Sequence, residues 1–248
     1  MAEDHPEGGA LIRPCGDTAL TVVLGNEISP KINDRVYALY HALLAEKPEG
    51  MIGLVPSFAS LEVQYDPAEI TFDHMRDLVL ALAKDSAKGK TQRKKKIWKI
   101  PCCYSPRFAF DLDSGAEHAG LDREEVIKRH SQGLYRIYML GFLPGFVYLG
   151  GLDPAIACPR LPSPRKKIPQ GAVGIGGSQT GIYPLASPGG WRLIGSTPVR
   201  MYDPEKSDPV LQRPGDFIRF VPVDTCTYYD IAREVSLGTY LPDMEETD

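Results

Sequence analysis

The chain has 248 residues, of which 43% are hydrophobic, and a formal net charge of -4 at pH 7. This length suits one large domain or two small ones, and charges of both signs give no reason to expect nucleic acid or an acidic membrane surface as a partner. No run of about eighteen apolar residues occurs, so we expect no membrane span. The acidic N-terminus lacks the apolar stretch of a secretory signal.

The cysteines are odd in number, irregularly spaced and without a CxxC pair. Such a pattern indicates free thiols in a reducing compartment rather than disulfides or a metal site. We therefore expect a cytoplasmic protein that binds no metal through this chain. The five cysteines are Cys15, Cys102, Cys103, Cys158 and Cys226.

The first third of the chain predicts a small α+β sandwich of ferredoxin-like type over residues 10–92, after a disordered N-terminus at residues 1–9. Ser29 and Pro30 are typical of a helix start, as N-cap and first helical position. Strands are indicated by alternation and helices by spacing of three and four. The predicted elements are a strand at Ala19–Leu24, a helix carrying Ile32 to Leu43, a strand at Leu61–Tyr65, a helix carrying Met75 to Leu82, and a strand at Ile97–Cys102.

The charged stretch 84–96 is interpreted as a solvated linker, with phosphate or nucleic-acid binding as the alternative. Beyond it, Asp122 is placed to cap a helix that ends near His130, with Glu125 in the capping-box position. Many short apolar runs between Gly and Pro turns then predict a mostly β domain, a sandwich or closed barrel, over residues 93–240. The strand candidates are Tyr135–Leu140, Val173/Ile175, Leu193/Ile194, Val199–Tyr202 and Phe217–Val221.

A tight apolar turn follows the first of these strands. Gly141 and Gly145 bracket Pro144, and the aromatic residues Phe142 and Phe146 lie on either side of the proline. The turn, with Tyr148 beyond it, supplies either aromatic walls for a flat small molecule or a core corner where glycine fits under aromatic rings.

The segment 159–169 is cationic and stiffened by prolines, which fix φ and reduce the entropy lost when a loop becomes ordered. Arg160 and Arg165 can direct forked donors at a carboxylate or a phosphate. The alternative is a rigid surface loop whose charges are solvated.

A glycine-rich stretch, residues 174–184, can direct backbone N–H groups at an anion. It is not a Walker A loop, because Ile182 stands where lysine is required. Ser178 does not fit the hydrolase nucleophile elbow, because Thr180 stands where the G-x-S-x-G motif requires its last glycine. Gln179, Thr180, Tyr183 and Ser187 are either neutral hydrogen-bonding groups around a ligand or turn-forming residues. His130 is either a general acid–base or a helix C-terminal histidine favoured by the dipole.

Long, distinctive segments of this chain resemble the KipI/PxpB family, also called allophanate hydrolase subunit 1. They include GFLPGFVYLGGLDP, PRLPSPRKKIPQGAVGIGGSQTGIYPLASPGGWRLIGSTP and RPGDFIRFVPV. The resemblance covers about residues 10 to 235. It implies a small α+β N-terminal domain and a cyclophilin-like β-barrel C-terminal domain, related to the carboxyltransferase portion of urea carboxylase.

The resemblance also implies an activity. Family members act with a PxpC/KipA-like subunit and a PxpA-like subunit as an ATP-dependent 5-oxoprolinase, which opens 5-oxo-L-proline to L-glutamate. ATP is then expected at a subunit interface or on a partner, since no nucleotide-binding signature occurs here. The catalytic candidates are His130, Arg165 and Gln179. The substrate-binding candidates are Phe142, Gly145, Phe146, Arg160, Tyr183, Ser187, Gly189 and Gly190.

Two alternatives within the family remain open. One is an inhibitor that binds a sporulation histidine kinase, which requires no catalytic residue. The other is a carboxyltransferase-like subunit in urea or allophanate metabolism, although no amidase-type Ser/Lys signature is visible. A prolyl isomerase would rest on fold analogy alone.

Overall fold

The computed structural model describes residues 9–86 and 94–247. The chain divides into two compact units between Arg93 and Lys94. The predicted disordered N-terminus, apart from its last residue, and the centre of the predicted linker lie outside the described residues. Among the described helices, none is both long and apolar enough to cross a membrane.

The first unit is a four-stranded antiparallel sheet with two helices, and its strand order is β1-β2-β4-β3. Its elements are β1 Leu11–Pro14, β2 Ala19–Val23, α1 Pro30–Glu46, β3 Met51–Pro56, β4 Ser60–Tyr65 and α2 Phe72–Ser86.

The periodicities of the sequence explain the core of this unit. Alternate residues of β4, Leu61, Val63 and Tyr65, are buried, as expected of a strand with one covered face. Helix α1 begins at Pro30 as predicted, although the Ser29 side chain makes no capping hydrogen bond. Both helices and the inner face of the sheet contribute to one apolar cluster. The predicted helices and half-buried strands are confirmed.

One predicted strand belongs elsewhere. The segment Ile97–Cys102 lies in β5, Lys95–Cys102, which pairs with strands of the second unit. The outer position beside β2 is instead occupied by β1 from the N-terminal side. Alternation identifies a strand but not its partner, because pairing is decided by residues far away in sequence. The ferredoxin-like description of this unit stays a prediction.

The second unit contains an eight-stranded sheet of order β12-β9-β10-β7-β6-β13-β5-β14 and a two-stranded ribbon, β8 with β11. Its elements after β5 are α3 Leu112–Ala119, α4 Arg123–Gln132, β6 Tyr135–Leu140, β7 Val147–Gly150, β8 Arg165–Ile168, β9 Ala172–Gly176, β10 Gln179–Ile182, β11 Ser187–Gly189, β12 Arg192–Ser196, β13 Phe217–Pro222, α5 Thr225–Ser236 and β14 Met244–Thr247.

The large sheet curls into a partial barrel. Cys103, just after β5, and Ser196, at the end of β12, exchange two backbone hydrogen bonds of 2.8 and 3.0 Å. This bridge joins the first strand of the order to the segment after the seventh, so the sheet wraps around its apolar interior. The interior contains Ile100, Ile137, Leu149, Val173, Ile182, Ile194 and Ile218. The expected β-rich second half is confirmed, and the description as a closed, cyclophilin-like barrel stays a prediction.

Local signals succeed or fail here for identifiable reasons. The Asp122 carboxylate accepts the backbone N–H of Glu125 at 2.7 Å, so the predicted helix start of α4 is confirmed. The strand predicted at Val199–Tyr202 is wrong. Val199 and Met201 are buried, which produces the alternation, but the segment pairs with no described strand. Strand β14 pairs with β5 and extends the sheet beyond residue 240.

The RPGD motif forms a structural turn. Gly215 has φ of +86° after Pro214, and the Asp216 N–H donates to the Arg213 carbonyl at 3.0 Å, as in a type II turn. The buried Asp216 carboxylate accepts the Trp98 indole N–H at 3.3 Å and so joins this turn to β5. This aspartate is fully engaged in holding the fold.

Candidate functional site

The outer face of strands β7, β9 and β10 is unusually rich in glycine. Directly opposed residues of an antiparallel pair share a face of the sheet. Gln179 stands opposite Gly176, and Gly181 stands opposite both Gly174 and Tyr148. The intervening residues point the other way, into the barrel interior. The outward face therefore carries three glycines flanked by Gln179 and Tyr148.

Trp191 occupies the space that these glycines leave. A methyl group on Gly176 would stand 2.5 Å from the indole Nε1, and one on Gly181 would stand 3.0 Å from Cζ3. A methyl group on Gly174 would lie 3.2 Å from the Trp191 Cβ. The glycine-rich stretch thus makes room for an indole lying on the sheet.

Two further aromatic rings contact the indole, and a third contacts one of these two. The Phe146 ring centroid lies 5.6 Å from Trp191 and 5.2 Å from Tyr183, both edge-on. The Tyr148 ring lies 6.2 Å from Trp191. We call these four residues, Phe146, Tyr148, Tyr183 and Trp191, the aromatic box. Phe146 and Tyr183 were predicted to bind substrate, and the fold brings them together.

The β6–β7 hairpin carries an exposed aromatic tip beside the box. Phe142 is 60% exposed, and its ring lies 5.6 Å from that of Phe146. Its φ of +67° and the 2.8 Å hydrogen bond from the Leu143 N–H to the Gly141 carbonyl define a strained three-residue turn. Gly145, with φ of +78°, closes the hairpin, and a side chain there would collide with Tyr202 Cβ at 2.8 Å.

The two arginines of the proline-rich segment have different environments. The Arg160 guanidinium carbon lies 5.9 Å from the Trp191 ring centroid, and the side chain is exposed. No described residue forms a hydrogen bond or ion pair with it. Burial raises the pKa of Tyr148 and of Tyr183, and the positive charge of Arg160 acts against that rise. Within the described part of the chain, Arg160 is thus a stacked, unpaired cation at the box.

Arg165, by contrast, is committed to an internal partner. Its two terminal nitrogens donate to the Asp111 carboxylate at 2.9 and 2.7 Å, and the side chain of Asp111 is only 8% exposed. The same carboxylate accepts the Leu193 N–H at 2.7 Å. The charge of Arg165 is already balanced, and its fork joins β8 to β12 and the start of α3. Asp111 carries no sequence signal that identifies this partnership.

The remaining substrate-binding candidates lie on β11 and just after it. A methyl group on Gly189 would stand 2.6 Å from the Tyr183 hydroxyl, so this glycine lies against the box. Gly190 is less crowded, and its nearest atom would be Pro164 Cγ at 3.7 Å. The buried Ser187 hydroxyl has no hydrogen-bond partner among the described residues. A buried hydroxyl without a partner is costly and commonly indicates a missing water or ligand group.

His130 lies on the opposite side of β10 from Gln179. It is fully buried, and its ring nitrogens contact the Tyr104 hydroxyl at 2.7 Å and the Thr180 hydroxyl at 2.9 Å. Burial lowers its pKa to about 3, so the ring is neutral at physiological pH. Its catalytic role stays a prediction, as does that of Gln179, which is half-buried on the outer face.

This arrangement is suited to binding. Among the described residues an unpaired guanidinium and an amide lie beside an aromatic wall, and an unpartnered hydroxyl is buried on β11. These groups match a small ligand bearing a carboxylate and a polar amide edge. Sequence reasoning missed Trp191, although its position directly after Gly190 and close to a glycine-rich stretch was a usable signal.

A curled sheet flanked by helices, as described above, is typical of carboxyltransferase-type domains. The comparison with protein families gives the same class. The family described as carboxyltransferase domain, subdomain C and D, matches residues 10–212. The chain belongs to this family, and the predicted KipI/PxpB membership is confirmed.

Named relatives and solved structures extend the comparison. A 5-oxoprolinase subunit of Bacillus subtilis (strain 168) is 40% identical over 236 residues, which cover 90% of this chain and 97% of that protein. The crystal structure of TTHA0988 is 37% identical with a TM-score of 0.73, and the match covers 86% of this chain but 40% of that one. The urea amidolyase of K. lactis has a TM-score of 0.84 over 100% of this chain and 17% of its own, and at 22% identity it shows a shared fold.

Proposed function

We propose that this chain is one subunit of a heteromeric, ATP-dependent 5-oxoprolinase that opens 5-oxo-L-proline to L-glutamate. The similarity to the Bacillus subtilis 5-oxoprolinase subunit supports the assignment because it extends over 97% of that protein. The other subunits would be of the PxpC/KipA and PxpA types. Activity would require all of them, since the outer face described above provides binding groups without a complete nucleophile and base.

The observation that supports a substrate site on this chain is the guanidinium of Arg160 held over Trp191. Stacking restrains the side chain without using its hydrogen-bond donors, so all five remain available to a carboxylate. Oxoproline carries one carboxylate on a small ring. We propose that Arg160 binds this carboxylate, while Gln179 and Ser187 pair with the lactam N–H and carbonyl.

ATP has a chemical reason to take part, because a five-membered lactam is a poor electrophile and phosphorylation of its carbonyl oxygen supplies a leaving group. The glycine-rich stretch offers a poor fit to nucleotide phosphates. The glycine-rich stretch is covered by Trp191, whose Nε1 would lie 2.5 Å from a methyl group on Gly176. We therefore propose that ATP binds at a subunit interface or on a partner subunit.

Reconstitution tests this assignment. This chain, mixed with its PxpA-type and PxpC-type partners, is expected to release glutamate from oxoproline only when ATP is present. Omitting this chain should abolish the release, and full activity without it would overturn the proposal. If this chain is instead a kinase inhibitor or a carboxyltransferase subunit, the complete mixture is expected to release no glutamate.

A further inference from the structure

A fully buried polar cluster lies behind the outer face and connects to it. His130 stands in the last turn of α4 with none of its surface exposed. Phe220 stacks on its ring at 4.5 Å, and the Tyr135 hydroxyl donates to its backbone carbonyl at 2.7 Å. The ring is therefore held on its face and at its backbone, and its two nitrogens decide what it does.

Hydrogen-bond directions fix the tautomer. The Thr180 hydroxyl donates its single proton to the Gly174 carbonyl at 3.0 Å. Its oxygen can then only accept from His130 Nε2, 2.9 Å away, so Nε2 carries the proton. Nδ1 is left with a lone pair, which accepts the Tyr104 hydroxyl at 2.7 Å.

The hydrogen bonds at this cluster therefore share one direction. A directed series of bonds runs from the Tyr104 hydroxyl through His130 and Thr180 to the Gly174 carbonyl, and each bond polarises the next.

The described groups that contact the imidazole, Tyr104, Thr180, Tyr135 and Phe220, are uncharged at physiological pH. Burial raises the pKa of Tyr104 and of Tyr135, and the charge of Asp153 raises that of Tyr135 further. No carboxylate is hydrogen-bonded to the ring among the described residues. An imidazolium would find no counter-charge in contact, and burial accordingly lowers the pKa of His130 to about 3.

The series of hydrogen bonds ends at Thr180 and Gly174, on the strands that carry the candidate site. Thr180 points inward, whereas its neighbour Gln179 points outward, since successive side chains of a strand alternate. Gln179 stands opposite Gly176 and therefore beside the Nε1 edge of Trp191. The acceptor Gly174 also lies under Trp191. A shift of Thr180 would move both strands beneath the indole.

We infer that His130 is a positioning residue, which as the Nε2–H tautomer links Tyr104 to Thr180 and holds Gln179 and Trp191 in register on the outer face. In its effect on catalysis the inference rests on the proposed function, but its structural part does not. It replaces the expectation that His130 exchanges protons with substrate.

The tautomer is tested by NMR of the full chain labelled with ¹⁵N-histidine. His130 is expected to show a neutral Nε2–H ring with constant shifts from pH 5 to 8. The signals of the exposed His41, His74 and His118 are recorded in the same spectra for comparison. A proton on Nδ1, or a titration of His130 in this range, would overturn the inference.

The link to the outer face is tested by ¹⁹F NMR after labelling both tryptophans, with Trp191→Phe assigning the signals. Thr180→Val removes the acceptor at nearly constant volume and is expected to shift the Trp191 resonance. Thr180→Ser keeps the hydroxyl and should restore it, and Trp98 serves as the internal control. If the Trp191 resonance is the same in the wild type, Thr180→Val and Thr180→Ser, His130 does not position the outer face.

Kinetics of the assembled complex then separate positioning from proton transfer. Thr180→Val and His130→Gln are each expected to raise the KM for oxoproline about tenfold, the scale of one misplaced hydrogen bond, with kcat within about threefold. The double variant should have a KM no higher than that of the single variant with the higher KM, because both substitutions break the same series of hydrogen bonds. A fall in kcat of about a hundredfold or more for His130→Gln alone, with Thr180→Val near wild type, would indicate a general acid–base instead. Loss of the proposed function would appear as inactive wild-type complex, while both NMR results would still stand.

Discussion

Arg160→Gln is the substitution that most directly tests the candidate site. The glutamine keeps a polar side chain of similar reach but removes the charge and the flat fork over Trp191. Because Arg160 has no hydrogen-bond or ion-pair partner among the described residues, its loss leaves no buried group unpaired. We therefore expect a folded subunit that still assembles, with weakened substrate binding.

The size of the effect follows from the contacts available. A hydrogen bond to a charged group contributes about 1.5–3 kcal/mol, and the exposure of Arg160 places this one near the lower end because solvent screens it. A loss of about 1.5–2 kcal/mol raises the KM for oxoproline roughly 10- to 30-fold. A contact made equally in the ground and transition states leaves kcat nearly unchanged.

Glutamate release by the reconstituted complex, followed at varied oxoproline concentrations, measures both constants. Arg160→Lys keeps the charge without the fork and should give an intermediate KM. Lys128→Gln removes an exposed cation on α4 and is the matched control. A KM for Arg160→Gln within twofold of wild type, or an equal rise for Lys128→Gln, would refute the assignment of Arg160 to the substrate carboxylate.

Three further substitutions test the supporting structure. Gly176→Ala forces a methyl group to within 2.5 Å of the indole and should cost about 1–3 kcal/mol in urea unfolding, whereas Gly190→Ala, with 3.7 Å of clearance, should be near neutral. Asp111→Asn weakens a largely buried ion pair and should lower thermal stability by about 3 kcal/mol; a loss no larger than that of the exposed Asp113→Asn would contradict this. His130 has a native pKa of about 3, below its ordinary value, so only the unfolded chain gains this proton as pH falls below about 6.5. Its contribution to stability, present above that pH, should fall by about 2 kcal/mol between pH 6.5 and 5, and His130→Gln should lack this part of the urea-unfolding pH dependence.

Sequence reasoning succeeded where the deciding contacts are local. The start of α4 depends on Asp122 and Glu125, three residues apart, and the buried face of β4 depends on simple alternation. It failed at the segment Val199–Tyr202, where alternate side chains are buried although the segment joins no described sheet. It also placed β5 in the wrong unit, because alternation identifies a strand but not its pairing partners.

The candidate site shows the same division. The family, the α/β composition and the segments that form the aromatic box follow from the sequence, because each depends on residue types in contiguous motifs. Which arginine keeps its charge available depends on the tertiary fold. Arg160 and Arg165 are equivalent in sequence, and folding brings Asp111, 54 positions away, into contact with Arg165. Folding likewise places His130 against Thr180, 50 positions away. It also packs the Trp191 indole against Gly174, Gly176 and Gly181. Long-range packing pairs Arg165 with Asp111 and places Trp191 over the glycines, whereas it leaves Arg160 exposed, without a hydrogen-bond or ion-pair partner among the described residues.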